Sequence, residues 1–346
     1  MKIKCDTFFI YNLQILTPEI IKNLNRILMK ILTWGFLLTF FYGSFIYAQP
    51  VNDNGQLKVI GTQLCNDHDK PLVLRGLSYG WHNWWPRFYN ADNVNWLVDD
   101  WKTDMIRAAM GVEPGRGYIN EPEWSTEKVK AVVDAAINKD IYVIIDWHTH
   151  NINLEEALVF FREMAETYGD KPHVIYEIFN EPDQETWPEI KKYSIAVIKE
   201  IRSVDPDNII LVGSGHWDQD VHIAADDPIT QFDNLMYTLH FYAATHKQVL
   251  RDRADYALKK GLPLFVSESA AMKADGDGDL DYEEWQKWID WMETNKVSWI
   301  TWSIANKNET CSMLLPEAAS EGNWQEHHLK ESGQKTRELL RSYKGK

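Results

Sequence analysis

The chain has 346 residues, 45% of them apolar, and 36 Lys and Arg against 51 Asp and Glu give a formal charge of −15. That balance suits a soluble globular protein and argues against disorder, collagen-like repeats and a multi-span membrane protein. The acidic excess argues against a broad nucleic-acid or anionic-membrane surface, which needs basic patches. Sixteen tryptophans imply either a heavy core or flat platforms for stacking a ligand, and composition does not choose between them.

Residues 1–48 read as a leader. Lys30 precedes the mostly apolar run Ile31–Phe41, and Ile46-Tyr47-Ala48 stands before Gln49. A basic start, an apolar stretch and a small residue at the cut form a secretory signal peptide. Met29 is the better start for it, with Met1–Leu28 an upstream over-reading of the frame. An uncleaved anchor is the alternative, although the run is short for a span. The expected mature protein, residues 49–346, is then a single domain, secreted to the medium or the periplasm, monomeric and free of membrane. It keeps Cys65 and Cys311, too few for a disulfide framework or a zinc site; both are expected free, at opposite ends of the fold.

From Gln49 onward, short β-rich apolar runs alternate with amphipathic stretches, with no internal repeat and no Pro/Ser-rich linker. Leu57–Leu64 and Leu72–Leu74, split by Asn66-Asp67-His68-Asp69, predict a hairpin. Strands are then predicted over Val73–Gly80, Met105–Gly111, Tyr142–His148, Val174–Glu181, Ile209–Gly215, Leu235–Tyr242, Pro263–Ser269 and Ser298–Asn306. Helices are predicted over Thr126–Lys139, Leu154–Tyr168, Trp187–Ser203, Lys247–Lys260 and Asp281–Asn295; Val129, Val132, Val133, Ala136 and Ile137 show the helical period. Continuous apolar strands such as Val143-Ile144-Ile145 suit burial on both faces. Eight strand–helix alternations, with no Gly-rich dinucleotide fingerprint after the first strand, predict an α/β fold: a (β/α)8 TIM barrel whose floor the hairpin closes.

Polar and aromatic residues cluster where these strands end, and in such a barrel the C-terminal strand ends share one mouth. Glu181 and Glu268 each follow an apolar strand, where an unpaired charge is costly. Two carboxylates facing one pocket push their pKa values apart, so that one serves as acid while the other stays ionised. Asn180 could bond a substrate hydroxyl, Tyr242 could hold Glu268, and Arg107 favours the ionised form of a nearby carboxylate. Alone, either glutamate could equally be a structural partner of Arg or Lys; the full set points to catalysis.

Ile141–His148, Tyr176–Pro182 with its Asn180-Glu181-Pro182, His240–Ala243, Pro263–Glu268, and Trp302-Ser303 leading to Lys307-Asn308-Glu309 together resemble glycoside hydrolase family 5. The likeness is to its bacterial endo-β-1,4-glucanases, over roughly residues 55–345. The resemblance implies a retaining double displacement on a β-glucan polysaccharide, with Glu181 as acid/base and Glu268 as nucleophile. Arg107, His148, Asn180, His240, Tyr242 and Trp302 fall on the remaining active-site positions. No cofactor and no metal is needed for that chemistry. Trp84, Trp85, Trp217 and Trp302 are then candidates for stacking on glucose rings, and Tyr118, Lys307 and Glu309 for further sugar contacts. Trp285, Trp288 and Trp291, at helical spacing, are expected in packing.

Two positions depart from the common pattern: Gly80 stands where the family has a His, with His82 a candidate replacement, and Gly111 stands where a sugar-contacting Tyr is frequent. The acidic segment Asp275–Glu284 resembles an EF-hand loop with Asp275, Asp277, Asp281 and Glu284 as ligands. Lys273 at its first position cannot coordinate calcium, and a solvated strand-to-helix loop is the expected reading. The alternatives left open are the same mechanism on mixed-linkage β-glucan, xyloglucan or mannan, a noncatalytic carbohydrate-binding barrel, and a metal-dependent hydrolase built on His148 and His240.

Overall fold

In the computed structural model a short helix, α1 (Pro50–Asn54), and an antiparallel hairpin, β1 (Lys58–Ile60) with β2 (Gln63–Cys65), precede eight parallel strands. These are β3 (Arg75–Tyr79), β4 (Met105–Gly111), β5 (Tyr142–His148), β6 (Val174–Glu177), β7 (Ile209–Val212), β8 (Leu235–Tyr242), β9 (Leu264–Ala270) and β10 (Trp299–Ile304). They pair in chain order, and β10 returns to β3 to close the ring. Around it lie α2 (Ala91–Trp96), α3 (Pro122–Asn138), α4 (Leu154–Tyr168), α5 (Trp187–Arg202), α6 (Gly215–Asp218), α7 (Val221–Asp226), α8 (Gln248–Lys259), α9 (Tyr282–Asn295) and α10 (Glu331–Ser342). The chain forms the expected (β/α)8 barrel. The described residues are 49–344 together with Glu19, Lys22 and Asn23, so apart from those three the predicted leader lies outside them. Among the described residues no helix is long and apolar enough to cross a membrane.

Strand pleating sorts the side chains. Along β5, Val143, Ile145 and Trp147 join the core beneath the helices, against Val129, Val132 and Phe160, while Tyr142 and Ile144 fill the barrel floor. The next inward residues up the same strand are Asp146 and His148. Strand β4 repeats the progression with Met105, then Arg107, and β6 with Ile175, then Glu177. Apolar side chains therefore plug the lower barrel and charged ones fill the upper barrel.

The floor differs from the sequence expectation in one respect. The hairpin forms inside the predicted first arm, with Lys58 opposite Cys65 across a turn at Gly61-Thr62. Asn66–Asp69 makes a second turn, after which Leu72 donates its amide to the Leu64 carbonyl (2.8 Å). Gly61 adopts φ +62°, a value glycine reaches without steric cost, and that residue, more than the polar cluster, sets the hairpin. Leu57 and Leu64 pack beneath the barrel with Met105, Ile144 and Ile300. Cys65 sits at this end, both cysteines are free and buried, and Cys311 lines the opposite mouth.

Irregular register shapes the mouth. Between β8 and β9, Thr238 pairs with Phe265 but His240 with Glu268, so β9 carries one extra residue. Such a bulge re-aims side chains; here it lets the adjacent Ser267 and Glu268 both reach the barrel interior. Strand β6 ends at Glu177, earlier than predicted. Beyond it Ile178 still bonds the Leu211 carbonyl, whereas Asn180 and Glu181 turn back to the carbonyls of Trp147 and Thr149. Glu181 thus stands on a turn anchored to the end of β5.

Candidate active site

Arg107 organises the site. Its guanidinium is fully buried and grips Glu177 with two hydrogen bonds, Nε to Oε2 (2.7 Å) and Nη2 to Oε1 (3.1 Å). It donates from Nη1 to Glu268 Oε2 (3.0 Å) and from Nη2 to Asn180 Oδ1 (2.6 Å), and lies 3.0 Å from Asp146. Burial opposes its charge, but Asp146, Glu177 and Glu268 more than compensate, so it stays cationic. Burial likewise opposes the Glu177 charge, and Arg107 with His240 brings its pKa down to about 2. Asp146 is pushed up by burial against the pull of Arg107.

The two glutamates singled out in the sequence meet above this pair. A carboxylate oxygen of Glu181, one of Glu268 and a nitrogen of His240 lie within 4.8 Å of one another. Tyr242 donates its hydroxyl to Glu268 Oε1 (2.6 Å). Burial and the neighbouring Glu181 charge raise the Glu268 pKa, and Arg107, His240 and Tyr242 pull against them. For Glu181 burial acts upward, and the hydrogen bond and charge of His240 prevail and lower it.

His240 connects the two levels. Its Nδ1 lies 2.9 Å from Glu181 Oε1 and its Nε2 2.9 Å from Ser267 Oγ. Ser267 in turn donates to Glu177 Oε1 (2.7 Å). Glu177 is ionised and can only accept, so the Ser267 proton is committed to it. The Ser267 oxygen must then accept from His240 Nε2–H. That fixes the tautomer and leaves one proton to be shared between Nδ1 and Glu181.

A cleft of about 430 Å³ opens over these groups. Trp302 lies parallel to the His148 ring, 5.1 Å centroid to centroid, and His148 Nδ1 is held by Asp146 (2.7 Å). Burial, with Arg107 close by, keeps His148 well below the ordinary imidazole range and therefore neutral. Among the described tryptophans, Trp84 (50% exposed) and Trp217 (38% exposed) are the exposed ones. Trp85, Lys307 and Glu309 also line the cleft, the last two as an ion pair. Trp285 and Trp288 are buried on α9, and Trp291 packs beside them.

Two sequence candidates are not brought to the site. His82 is fully buried; its Nε2 lies 2.9 Å from Ser125 Oγ, and its Nδ1 accepts the Gly111 amide (3.0 Å). It therefore ties the loop after β3 to α3 and does not replace the missing imidazole. Its neighbour Trp81 takes the cleft wall, edge-on to His148 at 4.4 Å and stacked on Trp84 at 4.7 Å. Tyr118 is packed under the barrel mouth against Trp147 and Phe160, away from the cleft. Asn180 is fully buried behind Glu181, its carbonyl taken by Arg107 and its Nδ2 unpaired. Asp146, Glu177, Asp218 and Ser267 were missed. Glu177 was legible by the argument applied to Glu181, a charge inside an apolar strand.

Among the described residues the one group with the donors to hold a cation is Glu181, His240 and Glu268. Its chemistry does not fit a dication, because the fixed Arg107 charge sits 3.0 Å from Glu268. The acidic loop does not fit calcium either. Asp277 takes the amide and hydroxyl of Thr310 (3.1 and 2.8 Å), and Asp281 caps α9 through the Glu284 amide and pairs with Lys247 (3.0 Å). Glu284 pairs with Arg251 (2.6 Å).

Residues 65–308 match the family model described as Cellulase (glycosyl hydrolase family 5). An endoglucanase of Clostridium saccharobutylicum is 45% identical over 83% of the chain. Endoglucanase 5 of Pectobacterium carotovorum subsp. carotovorum is 42% identical over 92% of it. The chain spans 65% and 64% of the lengths of these two proteins. Among solved structures, one from Cytophaga hutchinsonii is similar at a TM-score of 0.83 and 45% identity, over 85% of this chain and 96% of that one. The catalytic domain of Thermobifida fusca endoglucanase Cel5A, a variant in complex with cellotetraose, is similar at 0.81 and 34% identity, over 84% and 99%.

Proposed function

We propose, for a chain that belongs to the cellulase family, glycosyl hydrolase family 5, that it hydrolyses internal β-1,4 bonds of a β-glucan with retention, Glu181 acting as acid/base and Glu268 as nucleophile. The observation that carries this reading is the approach of Glu181 and Glu268, with carboxylate oxygens within 4.8 Å, in an aromatic-lined cleft. Retaining pairs stand about 5–5.5 Å apart and inverting pairs about 6.5–9.5 Å. In support, the relatives are named endoglucanases, and the Thermobifida protein holds cellotetraose.

In the first half-reaction a Glu268 oxygen attacks the anomeric carbon while the bond to the leaving oxygen breaks. The proton shared by His240 and Glu181 passes to that oxygen from Glu181. With that proton in place Glu181 carries no charge, and its repulsion, which raises the Glu268 pKa, disappears. Arg107 and Tyr242 then hold Glu268 ionised and oriented for attack. In the second half-reaction Glu181, now anionic, takes a proton from the water that displaces Glu268 from the sugar. Water exclusion and ring alignment fall to Trp302, Trp84 and Trp217. Open access along the barrel mouth suits a polymer, and the basic–apolar–small order of residues 30–48 supports export.

The test is reducing-sugar release on carboxymethylcellulose, mixed-linkage β-glucan, xyloglucan and mannan side by side. Hydrolysis of β-1,4-glucans that disappears in both Glu181→Gln and Glu268→Gln is the expected result. Preference for mannan would overturn the substrate and keep the mechanism. Sugar binding without hydrolysis would leave a binding barrel.

A further inference from the structure

The segment α6, between β7 and α7, is in fact a left-handed turn, with three successive non-glycine residues in that region: His216 (φ 57°), Trp217 (φ 55°) and Asp218 (φ 59°). Consecutive L-residues avoid this conformation because Cβ crowds the following carbonyl, so it persists where surrounding contacts over-determine it. Here the Trp217 amide bonds the Pro182 carbonyl (2.9 Å), directly after Glu181, and the Asp218 amide bonds the Ser214 carbonyl (3.2 Å). Asp218 Oδ1 also accepts the Ser214 amide (2.5 Å). The turn so closed lifts Trp217 into the cleft.

The second oxygen of Asp218 is the unusual one. The residue is fully buried, Oδ2 has no hydrogen-bond partner, and it faces His240 Nε2 at 3.5 Å. Burial holds the Asp218 pKa well above the ordinary carboxylate range although the His240 charge, the Ser214 amide and the Thr238 hydroxyl pull it down, so its ionised form depends on the protonated imidazole it faces. Other groups also face His240: Glu177 and Glu181 from β6 and the turn after it, and Glu268 from β9. Asp146, His148 and His246 act on it from further away. Glu177 is committed to Arg107 and Ser267. Asp218 is the carboxylate whose free oxygen is aimed at the imidazole from the side away from the cleft.

We propose that Asp218 is a positioning residue with two tasks: Oδ1 locks the left-handed turn that presents Trp217, and Oδ2 keeps on the His240–Glu181 pair the proton that the leaving group receives. The argument rests on Glu181 as acid/base. Asp218, ionised where His240 carries the proton, raises the affinity of the pair for that proton, so the acid-competent form survives to higher pH. Removing that charge lowers the affinity, and the alkaline limb of activity retreats toward neutrality. One residue thereby joins an aromatic sugar platform to the protonation of the catalytic carboxyl.

The test is kcat/KM against pH on cellotetraose for the native enzyme, Asp218→Asn and Trp217→Ala. Asp218→Asn keeps an acceptor for the Ser214 amide and removes the charge, so its alkaline limb should move down by about 1–3 pH units. Trp217→Ala should raise KM and leave the limb in place. An unmoved limb in Asp218→Asn, or an equal movement in Trp217→Ala, overturns the proposal. Nitrogen-15 spectroscopy of the His240 ring in the native protein needs neither activity nor a folded variant. The Nδ1 signal should titrate above the ordinary imidazole range, and titration within or below that range overturns the assignment. A native protein that hydrolyses no glucan would instead overturn the function, while a His240 ring titrating within or below the ordinary range would still overturn the role given to Asp218.

Discussion

Glu268 is held by a guanidinium and a phenol hydroxyl, and the two should be separable. Tyr242→Phe removes the 2.6 Å donor but leaves Arg107. A hydrogen bond to a charged group is worth about 1.5–3 kcal/mol, so kcat/KM should fall roughly 10- to 150-fold. The sign of the accompanying pH effect follows from the same bond. Tyr242 lowers the Glu268 pKa, so its loss raises that pKa, and the acid limb of the profile should move to higher pH. An acid limb at the native position would show that Tyr242 positions Glu268 without tuning it. Arg107→Met is a different experiment, because it strands Glu177 and Asp146 as buried carboxylates. Removing one partner of a buried ion pair costs about 3–5 kcal/mol, so urea unfolding should register the substitution whether or not activity is assayed.

At the scale of elements, α9 gives a direct check on the acidic loop that precedes it. Asp281 caps α9 and pairs with Lys247. Asp281→Ala should therefore cost about 0.5–2 kcal/mol of stability, while exhaustive chelation should leave both activity and unfolding unchanged. Loss of activity on chelation would restore calcium to the loop. The helices and strands themselves were legible because continuous apolar runs and a 3.6-residue period survive without any neighbour: α4 spans Leu154–Tyr168, as its pattern predicts. Parity and register were less accessible. Whether Trp81 or His82 faces the cleft depends on where the chain leaves β3, and a shift of one residue swaps them. The extra residue in β9 is likewise invisible along one strand, since a bulge is a relation between two. Tyr118 resembles a cleft aromatic in sequence because nothing local reveals that Trp147 and Phe160 already enclose it. Glu181 and Glu268 were legible because charged residues at the ends of apolar strands are costly enough to need a reason, and Arg107 and His240 through the resemblance of the segments around them.

For the whole molecule, the buried imidazoles set how stability responds to acid. Burial lowers the pKa of His82 to about 3 and that of His246 to about 4, and holds His148 well below the usual range. Each group stays neutral in the folded state while its unfolded counterpart protonates near pH 6.5. The unfolded chain thus binds more protons below that pH. Stability should fall with acidification by about 1.4 kcal/mol per pH unit for each imidazole, until its folded pKa is reached. Glu177 acts the same way further down: its pKa of about 2 makes its contribution disappear as pH falls through the carboxylate range. His240, raised by Asp218 and its glutamate neighbours in spite of burial, acts oppositely. Its contribution is complete below the ordinary imidazole pKa and is lost as pH rises through the folded value. Urea midpoints from pH 4 to pH 9 should therefore describe a maximum near neutrality, and a midpoint flat from pH 6 to pH 4 would contradict the buried neutral state of these rings.

Met105 and Arg107, Ile144 and Asp146, and Ile175 and Glu177 are paired rungs, each two residues apart on one strand. Replacing a lower rung with another apolar side chain perturbs packing without entering the cleft. Replacing an upper rung alters charge around the reacting bond and leaves the plug below intact. Substitutions on the floor therefore act on durability alone, whereas those at the mouth act on chemistry and, through the buried ion pairs, on durability as well. Stabilising substitutions among floor residues would lend the protein thermal headroom, and that headroom is what a lineage needs before it can tolerate experiments at the mouth.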